Sequence, residues 1–207
     1  VIEGEAVVGK TKLAQSFLAH LHNMGAGTAA AVCYSGEESL AFAPVEQLLR
    51  GVLAQPAARS RLADVEGVWL REAQRLLPDL QTAQGSQHLP LDASGSQAHF
   101  FEGVMRTLAG LLHGAQPGAV LLDDLHAADL ATLDLLAYLV RRLHTLPLLV
   151  IATWSAADVP PNHRLRRMAA EAARRQAATI LTLPPFDEAA VAKLIEARQQ
   201  SGDLPAA

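Results

Sequence analysis

The residues Gly4-Glu5-Ala6-Val7-Val8-Gly9-Lys10-Thr11 match the spacing G-x-x-x-x-G-K-[ST] at every fixed position, between the apolar pair Val1-Ile2 and a helical run. Such a spacing is suited to gripping phosphate. A loop opened by Gly4 and Gly9 turns successive backbone N–H groups toward an anion, and the helix that follows adds unpaired donors and partial positive charge. Lys10 then supplies a point charge for the β and γ phosphates, and the Thr11 hydroxyl a hard oxygen for Mg²⁺. The expected nucleotide-contacting stretch is Gly4, Glu5, Ala6, Val7, Val8, Gly9, Lys10, Thr11 and Lys12. A glycine-containing turn with an unrelated lysine is the competing reading, and it does not explain the strand before and the helix after.

A second stretch, Ala119-Val120-Leu121-Leu122-Asp123-Asp124, reads as a buried strand that ends in two acids. Asp123 is suited to the Mg²⁺ hydration shell that Thr11 touches, because a hard cation takes carboxylate and hydroxyl oxygens. Asp124 stands where a carboxylate can orient an attacking water. It is a methylene shorter than glutamate, which predicts slow hydrolysis. Lys10 and Asp124 are therefore the expected catalytic groups. The alternative for both acids is capping of the next helix, a role open to Asp129 ahead of Leu130, Leu133, Leu136 and Leu139.

Other polar groups fall on the same predicted sheet edge. Thr153-Trp154-Ser155 ends a strand where a polar side chain can sense a γ phosphate, and Glu37 and Glu38 lie in a turn that either approaches the nucleotide or is a solvated acidic turn. His126 either contacts a nucleotide or neighbouring domain or simply packs. His88 and His99 lack a second ligand at metal spacing. Arg164, Arg166, Arg167, Arg174 and Arg175 form an arginine finger, a docking face or, by default, a solvated helix face.

These groups need a scaffold, and the hydrophobic periodicity supplies one. Leu13, Phe17, Leu18 and Leu21 predict a helix from Lys10 to about Asn23, ended near Gly25 and Gly27. Thr28 to Tyr34 reads as a parallel strand covered on both faces, which makes Cys33 a buried small hydrophobe rather than a reactive thiol. Pro44 to Leu53, about Arg59 to Leu77, and about Ala98 to His113 read as helices, with a polar mobile loop from Gln81 to Gln97. Leu146 to Thr153 is a strand, about Asn162 to Gln176 a helix, and Thr179 to Leu183 a last strand closed by Pro184-Pro185. A final helix opens at Phe186 and Asp187, with Asp187 as its N-cap. The alternation predicts an α/β sandwich with a mainly parallel sheet and right-handed crossovers.

Half of the 207 residues are hydrophobic and 18% are charged, which excludes a disordered chain. The net charge of −4 argues against a broad nucleic-acid-binding face. Without a ~20-residue apolar run or a signal-peptide pattern, the expectation is a soluble cytoplasmic protein with no membrane contact. The start at Val1 and the tail Ser201-Gly202-Asp203-Leu204-Pro205-Ala206-Ala207 suggest an excerpt: residues 1–200 as one ATPase domain with a truncated first strand, and 201–207 as the start of a linker to a missing C-terminal region.

The two acid- and phosphate-handling stretches, read with Leu125-His126-Ala127-Ala128-Asp129 and Thr132-Leu133-Asp134-Leu135-Leu136, resemble the Walker A and Walker B motifs of the STAND branch of AAA-related P-loop ATPases. Within it the chain is most similar to the domain of large ATP-binding LuxR-type and SARP-type transcriptional regulators, and of some adenylate cyclase and kinase regulators. The similarity extends to Leu76-Leu77-Pro78-Asp79-Leu80 and Leu183-Pro184-Pro185-Phe186. It implies a P-loop NTPase three-layer α/β/α sandwich with an added strand between the Walker A and Walker B strands. It also implies an ATP/ADP switch with weak Mg²⁺-dependent hydrolysis and nucleotide-dependent self-association, with DNA contacted only by a separate domain of a multidomain bacterial regulator. By the same resemblance Thr11 and Asp123 hold the metal. Two positions depart from the pattern: Val7 stands where relatives usually carry glycine, and Ser155 where they often carry arginine. A β-branched residue held at positive φ costs about 1–3 kcal/mol. These departures motivate an alternative reading, a non-hydrolysing P-loop scaffold for protein interaction.

Overall fold

The computed structural model describes residues 1–78, 80 and 96–200, with backbone only at Arg59 and 195–200. The expected loop therefore lies largely outside the described residues, as do His88, Asp79 and the tail 201–207.

Five short strands make one parallel sheet: β1 (Ile2–Gly4), β2 (Thr28–Val32), β3 (Gly118–Asp123), β4 (Leu148–Ser155) and β5 (Leu181–Leu183), in the order β2-β3-β4-β1-β5. β4 thus separates the strand that feeds the glycine loop from the strand that ends in Asp123. This is the inserted strand that the resemblance implied. An α/β chain with a five-stranded parallel sheet flanked by helices is consistent with a P-loop NTPase fold.

Helix α1 (Lys10–Asn23) lies on one face and buries a small cluster, Ala14 and Leu18 against Ile2, Ala119, Leu121 and Ile151. The helix has its expected bounds but not its expected face. Leu13 and Phe17 are 42% and 43% exposed, and the alanine lets the helix approach the sheet. On the other face α2 (Ala43–Leu53), α5 (Ser96–Leu112), α6 (Leu130–Val140) and α7 (Arg164–Arg174) share the main core with Val120, Leu122 and Trp154. All six residues of β3 are buried, as a central parallel strand requires.

β2 departs from expectation. It ends at Val32, not Tyr34, and it alternates, with Ala29 and Ala31 buried and Ala30 exposed. It lies at the edge of the sheet, where α1 covers its outer face only in part. Cys33 continues its inner face and is buried, as expected.

The helix predicted over Arg59–Leu77 is broken into α3 (Pro56–Arg61), a single 3₁₀ turn at Leu62–Asp64, and α4 (Gly67–Ala73). Extended backbone at Val65 and Glu66 makes the break. Packing on α5 explains it: a Cβ at Gly110 would lie 2.8 Å from Val65 Cγ2, and one at Gly103 would lie 2.4 Å from Glu72 Cβ. Two glycines seven residues apart on α5 therefore draw in the break and the following helix separately. The last strand shortens to Leu181–Leu183, and α8 (Glu188–Gln200) follows, its Asp187 Oδ1 accepting from the Ala190 N–H at 2.7 Å.

Candidate functional site

The glycine loop runs from the end of β1 into α1, and its two outer glycines serve different needs. Gly4 is packed so closely under β5 that a Cβ would lie 2.6 Å from the Leu183 carbonyl oxygen. Gly9 needs its backbone freedom, with φ +95° at the start of α1 and open space around it. The first turn of α1 has neither a side-chain cap nor an acidic residue, so its N–H groups stay available to an anion. Glu5, Ala6, Val7 and Gly9 are exposed, Val8 is half-buried and Lys12 is exposed. Val7 holds φ +66°, the left-handed region suspected from the sequence, with its side chain fully exposed.

Lys10 is 7% exposed and donates from Nζ to the Glu5 carbonyl at 2.7 Å, which arches the side chain over the loop. Two of its three donors remain for a ligand. Thr11 Oγ1 donates to Asp123 Oδ1 at 3.1 Å, across the gap between α1 and the end of β3. The two residues that the sequence separates by more than a hundred positions are therefore in direct contact.

Thr153, at the carboxyl end of β4, completes this cluster. Its hydroxyl donates to Asp123 Oδ1 at 2.5 Å and accepts the Asp124 N–H at 2.9 Å. Thr11 and Thr153 both engage Oδ1, while Oδ2 of Asp123 keeps no hydrogen-bond partner among the described residues. Asp124 takes a left-handed backbone, φ +53°, and its half-exposed carboxylate is likewise unpartnered among the described residues. The sequence placed Thr153-Trp154-Ser155 at this edge, where a polar side chain can sense a γ phosphate. In the structure the Thr153 hydroxyl engages the Asp123 carboxylate and the Asp124 N–H, a partnership that follows from the strand order and that side-chain spacing alone does not reveal.

The capping alternative for the two acids does not hold. Asp129 caps α6: its Oδ1 accepts from the Thr132 N–H at 2.8 Å and its Oδ2 from the Thr132 hydroxyl at 2.6 Å. The same Oδ1 accepts the buried Phe42 N–H at 3.0 Å, a link to α2 that the sequence did not announce.

The remaining polar residues divide. Ser155 is 7% exposed and pairs in register with Gly4, so it supports the loop. Trp154 Nε1 donates to Glu3 Oε2 at 3.2 Å, and Arg166 Nη1 donates to the same oxygen at 2.8 Å. Glu3, one residue before the loop, thereby ties β1 to β4 and α7; neither it nor this use of Arg166 was foreseen. Glu37 and Glu38 are exposed in a turn where Glu38 accepts the Gly36 N–H at 2.9 Å, which holds its carboxyl below the usual range. His126 places Nε2 3.6 Å from Asp158 Oδ2 and leaves a buried Nδ1 unpartnered among the described residues. His99 packs its ring 5.2 Å from that of Trp69.

The donor set fits Mg²⁺ in its nucleotide-bound mode. One hydroxyl and one carboxylate meet at the loop, and no group of three or more His, Cys, Asp or Glu side chains that could hold a metal occurs among the described residues. An ion here has to draw most of its ligands from phosphate and water, as Mg²⁺ prefers. No helix among the described residues is long and apolar enough to cross a membrane.

A family model described as the AAA ATPase domain matches residues 1–151. That span runs from the loop through β3 and into β4. No curated protein matches the chain.

Proposed function

The chain belongs to the AAA ATPase domain family, and from that premise we propose that it binds ATP and ADP at the Gly4–Lys12 loop, hydrolyses ATP slowly, and serves as the switch domain of a multidomain regulator. The observation that carries the reading is the contact of Thr11 with Asp123 beside an open loop whose helix start is uncapped. Backbone N–H groups from Glu5 to Lys12 bind the phosphates, and Lys10 turns its free donors to the β and γ oxygens. Thr11 and Asp123 would hold Mg²⁺, which when bound neutralises phosphate charge. Asp124, free and half-exposed, accepts a hydrogen bond from the attacking water and orients it. Thr153 holds the Asp123 carboxylate and the Asp124 backbone N–H, so that the Asp123 carboxylate need not reorganise on binding.

Asp124 carries one methylene fewer than the usual glutamate, which favours long-lived ATP and ADP states over fast turnover. Slow exchange between two stored states is what a switch requires. Transcriptional regulation, nucleotide-dependent self-association and a cytoplasmic setting belong to this proposal through the family resemblance.

Thermal melts with ATP and with ADP, each with and without Mg²⁺, test it. A ligand that binds only the native state stabilises it by about 2.7 kcal/mol at a hundredfold excess over Kd. The expected result is a rise in Tm with either nucleotide that the variant Lys10→Ala loses while remaining folded. An unchanged rise in Lys10→Ala would remove the phosphate site from this loop.

A further inference from the structure

Helices α6 and α7 line a cleft of about 240 Å³. Its walls carry Arg141 from the end of α6 and Arg164, Arg167 and Arg175 from α7, against a single lining acid, Glu171. The α7 positions 164, 167, 171 and 175 recur at helical spacing, so they form one stripe along the groove. Val140 and Met168 supply a half-buried apolar floor.

The four arginines are not equivalent. Arg164 pairs with Asp134, and Arg175 with Glu171 at 2.7 Å. Arg141 and Arg167 are exposed, and their side chains have no hydrogen-bond or ion-pair partner among the described residues. Two solvated guanidinium forks without a protein partner among the described residues therefore line one groove in a chain whose net charge is −4. Guanidinium matches carboxylate in planar, bidentate geometry, and an apolar floor between such forks suits aliphatic side chains.

We propose that the α6–α7 groove is a docking surface for an acidic amphipathic helix of a partner protein, with its carboxylates on Arg141 and Arg167 and its apolar edge on Val140 and Met168. A peptide is favoured over a nucleic acid because Arg164 and Arg175 are held by Asp134 and Glu171, which leaves Arg141 and Arg167 as the groove's unpaired cations among the described residues, too few for a backbone whose affinity rests on many phosphate contacts. A helix laid in the groove can present carboxylates to Arg141 at the end of α6 and to Arg167 on α7, with its apolar residues between them. The inference does not depend on nucleotide binding at the glycine loop.

The test is fluorescence anisotropy with a short labelled peptide of Glu and Leu at helical spacing, against the same peptide with Lys for Glu. The expected outcome is binding of the acidic peptide alone, weaker at higher salt, and lowered roughly tenfold or more in Arg141→Glu/Arg167→Glu, as the loss of two charge-assisted contacts predicts. Because both residues are exposed and unpaired, this variant should melt as the parent does. A second variant, Arg141→Lys/Arg167→Lys, keeps the charge without the fork and should bind with intermediate affinity. Lys10→Ala should bind the peptide like the parent, which separates this result from that of the nucleotide site. Equal affinity in the charge-reversed variant would overturn the proposal. So would a DNA duplex or anionic phosphatidylserine vesicles that bind this groove more tightly than the peptide.

Discussion

Val7 and Phe42 hold nearly the same left-handed backbone, with φ of +66° and +63°, but their surroundings are opposite. Phe42 opens α2 and is 8% exposed, its ring 5.3 Å from Phe100 and 6.2 Å from Phe101 in edge-on contact. Its N–H is received by Asp129, the residue that also caps α6. Packing and a buried hydrogen bond thus impose the unfavourable torsion from several directions. Val7 has no such support, because its side chain is fully exposed. Strain held by the core is a by-product of close packing, whereas strain in an exposed loop at the mouth of the proposed phosphate site is kept for the shape of the loop.

Two experiments separate the two cases, and a third probes the core that supports Phe42. The largest effect is expected from Phe42→Ala, which removes the aromatic cluster but keeps a residue that still resists positive φ; a loss of about 3 kcal/mol should appear in urea unfolding. A loss below 1 kcal/mol would show that packing does not impose this torsion. Val7→Gly should act in the other direction and more weakly. It relieves about 1–3 kcal/mol of strain against about 0.5–1 kcal/mol of added chain entropy, so the unliganded protein should melt slightly higher. Because the loop already holds this backbone without a ligand, the strain is incurred on folding, and nucleotide affinity should change by no more than a few-fold. A large gain in affinity would mean instead that the free loop relaxes and that binding has to restore the strain.

The smallest effect concerns Cys33, on the supported side of the comparison. Burial pushes its thiol up to about 12, with the charges of Asp129, Asp124 and Asp123 adding to the rise. The folded state therefore keeps a proton that the unfolded chain releases above the ordinary value of 9.0. The sign follows from linkage: with fewer protons on the unfolded state, stability falls as pH rises from about 9 toward about 12 and is unaffected below. Urea midpoints should decline across the accessible alkaline part of that window, and Cys33→Ala should flatten part of the decline. The thiol should also resist alkylation near pH 8 until the protein unfolds.

Much of the geometry of the candidate site was legible because its parts are local. A loop that binds phosphate requires glycines and a lysine at set spacing immediately before a helix, and a buried strand that ends in acids has an unmistakable hydropathy. The same locality made α1, α2 and the caps at Asp129 and Asp187 readable. The broken helix at residues 56–73 was not, since its apolar periodicity is continuous and the break depends on two glycines of α5 more than thirty residues away. The exposed face of β2 was missed for a similar reason: whether a run of alanines is covered on one side or two depends on where the strand lies in the sheet.

What the sequence by itself determined was the chemistry available: hard oxygens, a cation and an uncapped helix start, placed at element ends by turn and hydrophobic patterns. Which of these groups meet was decided only in three dimensions. The strand order β2-β3-β4-β1-β5 puts β4 between the loop and the acids, and so lets the Thr153 hydroxyl fix Asp123 and Asp124 together while Thr11 reaches the same carboxylate from the other side. Tertiary packing also gives Arg166 to Glu3 and leaves Arg141 and Arg167 lining a groove, although all three are cations on or at the end of a helix. Side-chain type follows from local sequence, whereas partnership depends on the long-range pairing of strands, which no local pattern encodes.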